Sequence, residues 1–342
     1  MTGRHSSRER SGGLPNPALA LGAVFLAAVV ISAILVKVIS HPASTARPVA
    51  DGGAPHHAAA APAPSSASAR PPASASASAS ARPPASASAS ATAPASRPDP
   101  FGAATAAFLG GRSGTVLAAV YDVRTHQTWT AGTGPPQDEA SIVKLDILET
   151  LLAQRAKSGS ALSGSDSSLA QSMIEDSDNN SATDLWDAVG GGTGIGTFNS
   201  AAGLAQTTPS GCVVCPGFPW PGWGLTRTVP ADQLTLLREI VEPSGLLTAA
   251  DRSYALGLME NVTPSQRWGV SGGVPSSVTV ALKNGWLPLN DADTDWQVNS
   301  IGWVSGQGRD YLIAVLTTGN ATEQHGIDTI SGLSAILWQH LQ

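Results

Sequence analysis

Ser141-Ile142-Val143-Lys144 opens a segment that reads SIVKLDILETLLAQRAK, from residue 141 to residue 157. Residues three apart share one face of a helix, a single turn from each other, so this spacing places a hydroxyl beside an amine. A serine hydroxyl becomes a nucleophile only when a neighbouring base takes its proton. Lys144 is flanked by Val143, Leu145, Ile147, Leu148 and Leu151, on a helix too apolar to lie on a surface. Burial disfavours the ammonium form, so a neutral, basic amine is expected at this position.

Working outward, the N-terminal third is set apart by composition. Residues 18–36, ALALGAVFLAAVVISAILV, carry no charge and match the ~20 apolar residues that span a bilayer. Arg4, Arg8 and Arg10 precede the run, and only Lys37 and the more distant Arg47 follow it. That bias predicts a short cytoplasmic tail (1–17), an uncleaved anchor (18–36) and export of everything beyond. A cleaved signal peptide is the competing reading, although its apolar core is ordinarily shorter, ~7–15 residues. No cysteine follows the run, which speaks against a lipid anchor. Residues 37–98 are dominated by Ala, Ser and Pro, and ARPPASASASA begins at both Ala69 and Ala81. A segment this poor in large apolar side chains is expected to be a disordered spacer, with an upper reach of ~180 Å at proline-rich stiffness.

Residues 99–342 suffice for one well-buried domain. Across the whole chain the formal net charge is −6, and no basic patch is present, which excludes a nucleic-acid partner. Cys212 and Cys215 are the only cysteines. In an exported domain a C-x-x-C pair in a Pro/Gly-rich loop reads as a small disulfide, and no further Cys or His stands near to complete a metal site.

The domain reads as α+β. A short helix over 99–109 precedes a hairpin of TVLAAVYDV (115–123) and TWTAG (128–132). The 141–157 helix closes at Gly159. Two helices follow, through SSLAQSMIE and SATDLWDAV, the second stopping at Gly190-Gly191-Gly192. The G-x-G-x-G at 192–196 is not read as a phosphate loop, because a helix precedes it rather than a strand. A long loop (204–228) carries Trp220 and Trp223, which either stack on a ligand or pin the loop to the core. Helices over 232–241 and 248–262, strands over 278–286, 296–305 and 310–319, and a terminal helix complete the chain. Strands at both ends with helices between predict one sheet shared by the terminal segments.

Two of the three lysines in this domain stand in pointed settings. Lys144 belongs to S-x-x-K and Lys283 opens Lys283-Asn284-Gly285 within a strand, while Ser177-Asp178-Asn179 lies between them at a helix end. The order S-x-x-K, S-D-N, K-x-G resembles the penicilloyl serine-transferase superfamily, and most closely the class A β-lactamases. The resemblance implies a β-lactamase/transpeptidase-like antiparallel sheet with a helical lobe, and it requires no metal or cofactor. It implies Ser141 as nucleophile, Lys144 as proton acceptor or relay, Ser177 as proton shuttle and Asn179 as holder of the lysine and the substrate amide. Lys283 and Asn284 would bind the substrate carboxylate, and Gly285 would admit a close backbone. The oxyanion hole would be the N–H groups of Ser141 and Trp286.

The expected partners are the cell membrane and a β-lactam or D-Ala-D-Ala-type peptide, met by a monomer. Two departures qualify the match. Class A enzymes carry a glutamate on the loop after S-D-N to activate the deacylating water, yet no glutamate occurs between Glu175 and Glu239 and residues 204–228 hold no acid. Asn284 replaces the usual threonine or serine. A β-lactamase-type hydrolase, a D,D-peptidase-like enzyme and a binder that acylates without release all fit these residues.

Overall fold

The computed structural model describes residues 97–216, 221–243, 245–290 and 292–341; the expected tail, anchor and most of the spacer, together with Trp220, lie outside them. Among the described residues no helix is long and apolar enough to cross a membrane.

The elements run α1 (Ala103–Gly110), β1 (Thr115–Asp122), β2 (Gln127–Ala131) and the short β3 (Gln137–Asp138), followed by a 3-10 turn at Ala140–Ile142. Then come α2 (Val143–Ser158), α3 (Gly164–Glu175), α4 (Asn179–Ala188) and α5 (Gly191–Ala202). A second 3-10 turn (Gly222–Leu225) and the short β4 (Arg227–Thr228) lead into α6 (Pro230–Val241) and α7 (Ala249–Glu260). The chain ends with β5 (Thr279–Pro288), β6 (Trp296–Gly306), β7 (Arg309–Asn320) and α8 (Glu323–His340).

The five long strands form one antiparallel sheet in the order β2-β1-β7-β6-β5. The first strand therefore pairs with the last, Thr115 opposite Thr318, as the sequence predicts. Alternation along the strands divides two cores. Leu117, Ala119, Ala281, Ile301, Leu312 and Leu316 face the helices α2 to α7, whereas Val120, Leu282, Val298, Ile313 and Val315 face Ile330, Leu333 and Leu337 of α8. The terminal helix buries Trp338 as well, while Ile336 is half-buried.

Helix α2 is the central element: every residue from Val143 to Leu152 is buried, including Lys144, Asp146 and Glu149. It ends where Gly159 takes a left-handed φ of 66° and its N–H bonds Ala156 O. Helix α5 was not legible in the sequence, where its four glycines, with Gly190 before them, read as a stop. Packing demands them instead: a Cβ on Gly194 would sit 1.8 Å from Val189 O, at the tight junction that follows α4. Propensity argues against a glycine-rich helix, and the close approach overrides it.

Candidate active site

The S-x-x-K pair straddles the junction of the first 3-10 turn and α2. Ala140, one residue before Ser141, holds a positive φ of 51°, and Ser177 holds 57°. Both are left-handed conformations that non-glycine residues adopt only when their surroundings enforce them, and such strain gathers at functional sites. Asp178 explains how Ser177 is held: its carboxylate caps α4 by accepting from Ser181 N at 2.6 Å. Desolvation raises the Asp178 carboxyl, but the Ser181 hydrogen bonds and the Lys144 charge outweigh it and hold it below the ordinary range. The S-D-N triplet is thus a helix cap with a strained serine before it and Asn179 in the first turn.

Lys144 Nζ lies 2.6 Å from Ser177 O, 2.7 Å from Asn179 Oδ1 and 3.1 Å from Ser177 Oγ. Lys283 Nζ reaches the same Ser177 Oγ from β5 at 2.9 Å and also bonds Asn284 O. One hydroxyl therefore bridges two amines, able to accept from one and donate to the other once that amine is neutral. Burial drives Lys144 from 10.5 down to about 7, with Asp178 opposing weakly. Lys283, fully buried, is pushed well below its ordinary value by desolvation and then by the charge of Lys144. A drop of the size found at Lys144 corresponds to about 5 kcal/mol against the ammonium. The Trp223 ring face, 5.1 Å from Lys144 Nζ, attracts a cation by only ~0.5–2 kcal/mol, so loss of water decides the balance.

Ser141, Ser177 and Asn179 line a cavity of roughly 860 Å³, walled by Trp223 and Trp286 and rimmed by Asp138, Asp176 and Asp293. Asp138 is raised by desolvation and opposed by Arg227, which stands 3.8 Å away. Gly285 brings β5 against the Ser141 turn: a Cβ there would meet Ser141 N at 2.6 Å, Ile142 N at 2.7 Å and Glu139 O at 2.9 Å. The close backbone approach expected of Gly285 is thus made to the Ser141 turn itself.

Two expected substrate contacts are placed differently. Asn284 is fully buried and spends its amide inside the protein, donating to Gln266 O at 2.6 Å and Trp268 O at 3.2 Å and accepting from Ser300 Oγ at 2.6 Å. It pins segment 266–268 and is not part of the cavity lining, its side-chain polar atoms being taken up inside the protein. Lys283 is fully buried too and joins the site through Ser177. Cys212 and Cys215 are bonded to each other, as expected, and among the described residues no cluster of His, Cys, Asp or Glu could hold a metal ion.

Sequence reasoning missed a set of carboxyls close to Ser141 in the chain. Glu139, Asp146 and Glu149 are fully buried, and Glu149 has no hydrogen-bond partner on either oxygen. Desolvation raises all three, Asp146 to about 7, and neighbouring acids push Glu139 and Glu149 higher. Their positions on an apolar helix carried a signal: acids at 146 and 149 break the hydrophobic run that buries Lys144.

The fold and this arrangement define a β-lactamase-like protein. The chain belongs to the Beta-lactamase enzyme family, whose model matches residues 154–341, more than half of its length. That span takes in Ser177-Asp178-Asn179 and Lys283-Asn284-Gly285 and begins after Ser141 and Lys144. Among solved structures, the TLA-1 extended-spectrum β-lactamase is 18% identical, with a TM-score of 0.61 over 70% of this chain and 96% of that one. A class A β-lactamase from Mycobacterium abscessus is 22% identical, with a TM-score of 0.57 over 68% of this chain and 96% of that one. These likenesses establish the fold. A curated relative, "Putative lipoprotein LppW" of Mycobacterium tuberculosis, is 27% identical over 208 residues, 59% of this chain and 62% of that protein. The match therefore spans less than two thirds of that relative's length.

Proposed function

We propose that the domain is a serine acyl-transfer enzyme, in which Ser141 attacks the carbonyl of a β-lactam or a related acyl-amide. The single observation that carries the reading is the pair of desolvated lysines meeting at Ser177 Oγ beside the cavity that holds Ser141. In this reading neutral Lys144 takes the Ser141 proton, directly or through Ser177. The Ser141 N–H, with that of Trp286, stabilises the oxyanion as the tetrahedral centre forms. Ser177 then passes a proton to the departing nitrogen, with Lys283 hydrogen-bonded to the same hydroxyl to hold it in place. No cofactor or metal is needed for these steps.

A second reading, a D,D-peptidase-like enzyme or a binder that stays acylated, is favoured by one observation. Residues 204–228 contain no acid, and Lys144 hydrogen-bonds to no carboxylate among the described residues. Removing a general base costs ~10²–10⁴-fold, so release of the acyl group by water is expected to be slow. The N-terminal third supports placing a monomer on the outer side of a membrane, held by the apolar run 18–36 and carried on the Ala/Ser/Pro spacer.

The test is intact-mass measurement after mixing with a penicillin, run beside a D-Ala-D-Ala peptide cleavage assay. An adduct that forms and disappears supports a β-lactamase. A lasting adduct with peptide cleavage supports a peptidase, and a lasting adduct without cleavage supports a binder. Absence of any adduct, with Ser141→Ala indistinguishable from the parent, would end the acyl-transfer reading.

A further inference from the structure

Lys144 owes its dry surroundings in part to the loop that holds no acid. Trp223 is 3% exposed, and its indole N–H donates to Thr183 Oγ1 at 3.3 Å, which fixes the ring as a wall between Lys144 and the cavity. The residue before it is clamped from behind. Gly222 N donates to Cys212 O at 2.8 Å, and a Cβ on Gly222 would meet Cys215 Sγ at 2.6 Å and Ser210 Oγ at 2.7 Å. The disulfide-closed turn 212–215 therefore packs directly on the backbone that carries Trp223. On the other side Thr226 N donates to Trp223 O at 3.1 Å and closes the second 3-10 turn.

Charged and titratable groups reach Lys144 from few directions. Asp178 acts from the turn between α3 and α4, and Lys283 acts from β5. The loop contributes a single charge, Arg227, which is directed to Asp138 and Pro136 O. Asp146, on α2 itself, repels the Glu139 carboxyl and accepts from Thr150 Oγ1. An indole can neither accept a proton nor activate water. What it does at this position is exclude solvent.

We propose that Trp223 is the positioning residue that keeps water from Lys144, so that its amine stays in the base form that serves Ser141. The inference rests on the acyl-transfer reading. An electrostatic alternative, in which the ring face merely attracts the ammonium, predicts the opposite sign: removing the ring would then favour the base.

The test uses the full chain, whose four lysines (37, 144, 157 and 283) give a sparse spectrum after carbon-13 labelling at Cε. Lys144→Arg assigns the Lys144 signal, and its titration is followed beside the pH dependence of Ser141 acylation by benzylpenicillin. The parent midpoint is expected at about 7. Trp223→Ala is expected to raise both midpoints by about one unit or more, whereas Trp223→Phe, which keeps an apolar wall, leaves them within about half a unit. Should Trp223→Ala fail to fold, Trp223→Gln carries the same upward expectation with more of the volume retained. A Lys144 midpoint that stays put or falls in the Ala or Gln variant overturns this inference alone. A parent that is never acylated overturns the acyl-transfer reading, and with it the service to Ser141.

Discussion

Replacing Gly285 with alanine tests the geometry around Ser141 more sharply than deleting any side chain proposed to be catalytic. The added Cβ would lie 2.6 Å from Ser141 N, where ordinary contact begins at 3.4 Å, so strand and turn must part by about 0.8 Å. Its other near neighbours, Ile142 N and Glu139 O, are backbone as well, so no side-chain rotation relieves the contact. Overpacking of this kind costs ~1–3 kcal/mol of stability. The larger effect falls on chemistry. A misplacement near 1 Å costs on the order of 10²-fold when reacting groups must align, and here the donor at Ser141 N is itself the group displaced. The assay is the second-order rate of Ser141 acylation by a fluorescent penicillin, measured on protein whose far-ultraviolet dichroism matches the parent. The expected result is a fall of roughly 10- to 100-fold. A folded Gly285→Ala protein that acylates within about twofold of the parent would refute the claim that this close approach sets the site.

Other outcomes follow from the buried charges and close contacts. Asp146 keeps its proton to about 7 in the folded protein and loses it near 3.8 when unfolded, so stability falls as pH rises across that window. Lys144 has the opposite slope, because the unfolded chain binds its proton up to 10.5 and the folded chain only to about 7; stability therefore rises above neutrality. Urea midpoints measured from pH 4 to 10 are expected to dip near neutral pH, and a maximum there would contradict both assignments. Glu149→Met removes a buried carboxyl without partners and is expected to stabilise by ~1–3 kcal/mol at acid pH, with a larger gain at pH 8. Gly194→Ala, which propensity alone would favour by ~1 kcal/mol, is expected to destabilise by ~1–3 kcal/mol in thermal unfolding because of Val189 O. Asn284→Thr, which restores the family's usual residue, is expected to lower the melting temperature, since it orphans the carbonyls of Gln266 and Trp268.

Much of the architecture was legible because its signals are local. Alternation in 115–123 and in the three late strands, Gly159 as a stop, and the terminal pairing all follow from periodicity and element order. Ser141, Lys144, Ser177 and Asn179 come together because their spacing places them at helix starts. What escaped is tertiary. Glycines 190–196 read as a break until Val189 O shows why the helix there has no side chain at 194. Asn284 read as a substrate contact because of its place in the K-x-G motif, yet Ser300 on the neighbouring strand and the Gln266 carbonyl claim its amide. Trp223 was one of two loop tryptophans with equal standing, and only the fold brings it to Lys144.

The pairing of β1 with β7 also governs when this domain can exist at all. Thr115 waits for Thr318, some two hundred residues later, and until then one edge of β1 has no partner. Assembly is thus held back until nearly the whole chain is available, since distant contacts form slowly. If, as proposed, the chain crosses a membrane before it folds, such delay is an asset: the sheet that would jam a translocation pore cannot close early. The same wiring makes the C-terminus indispensable. A chain truncated before residue 309 loses the strand between β1 and β6, and with it the frame that holds Lys283 against Ser177.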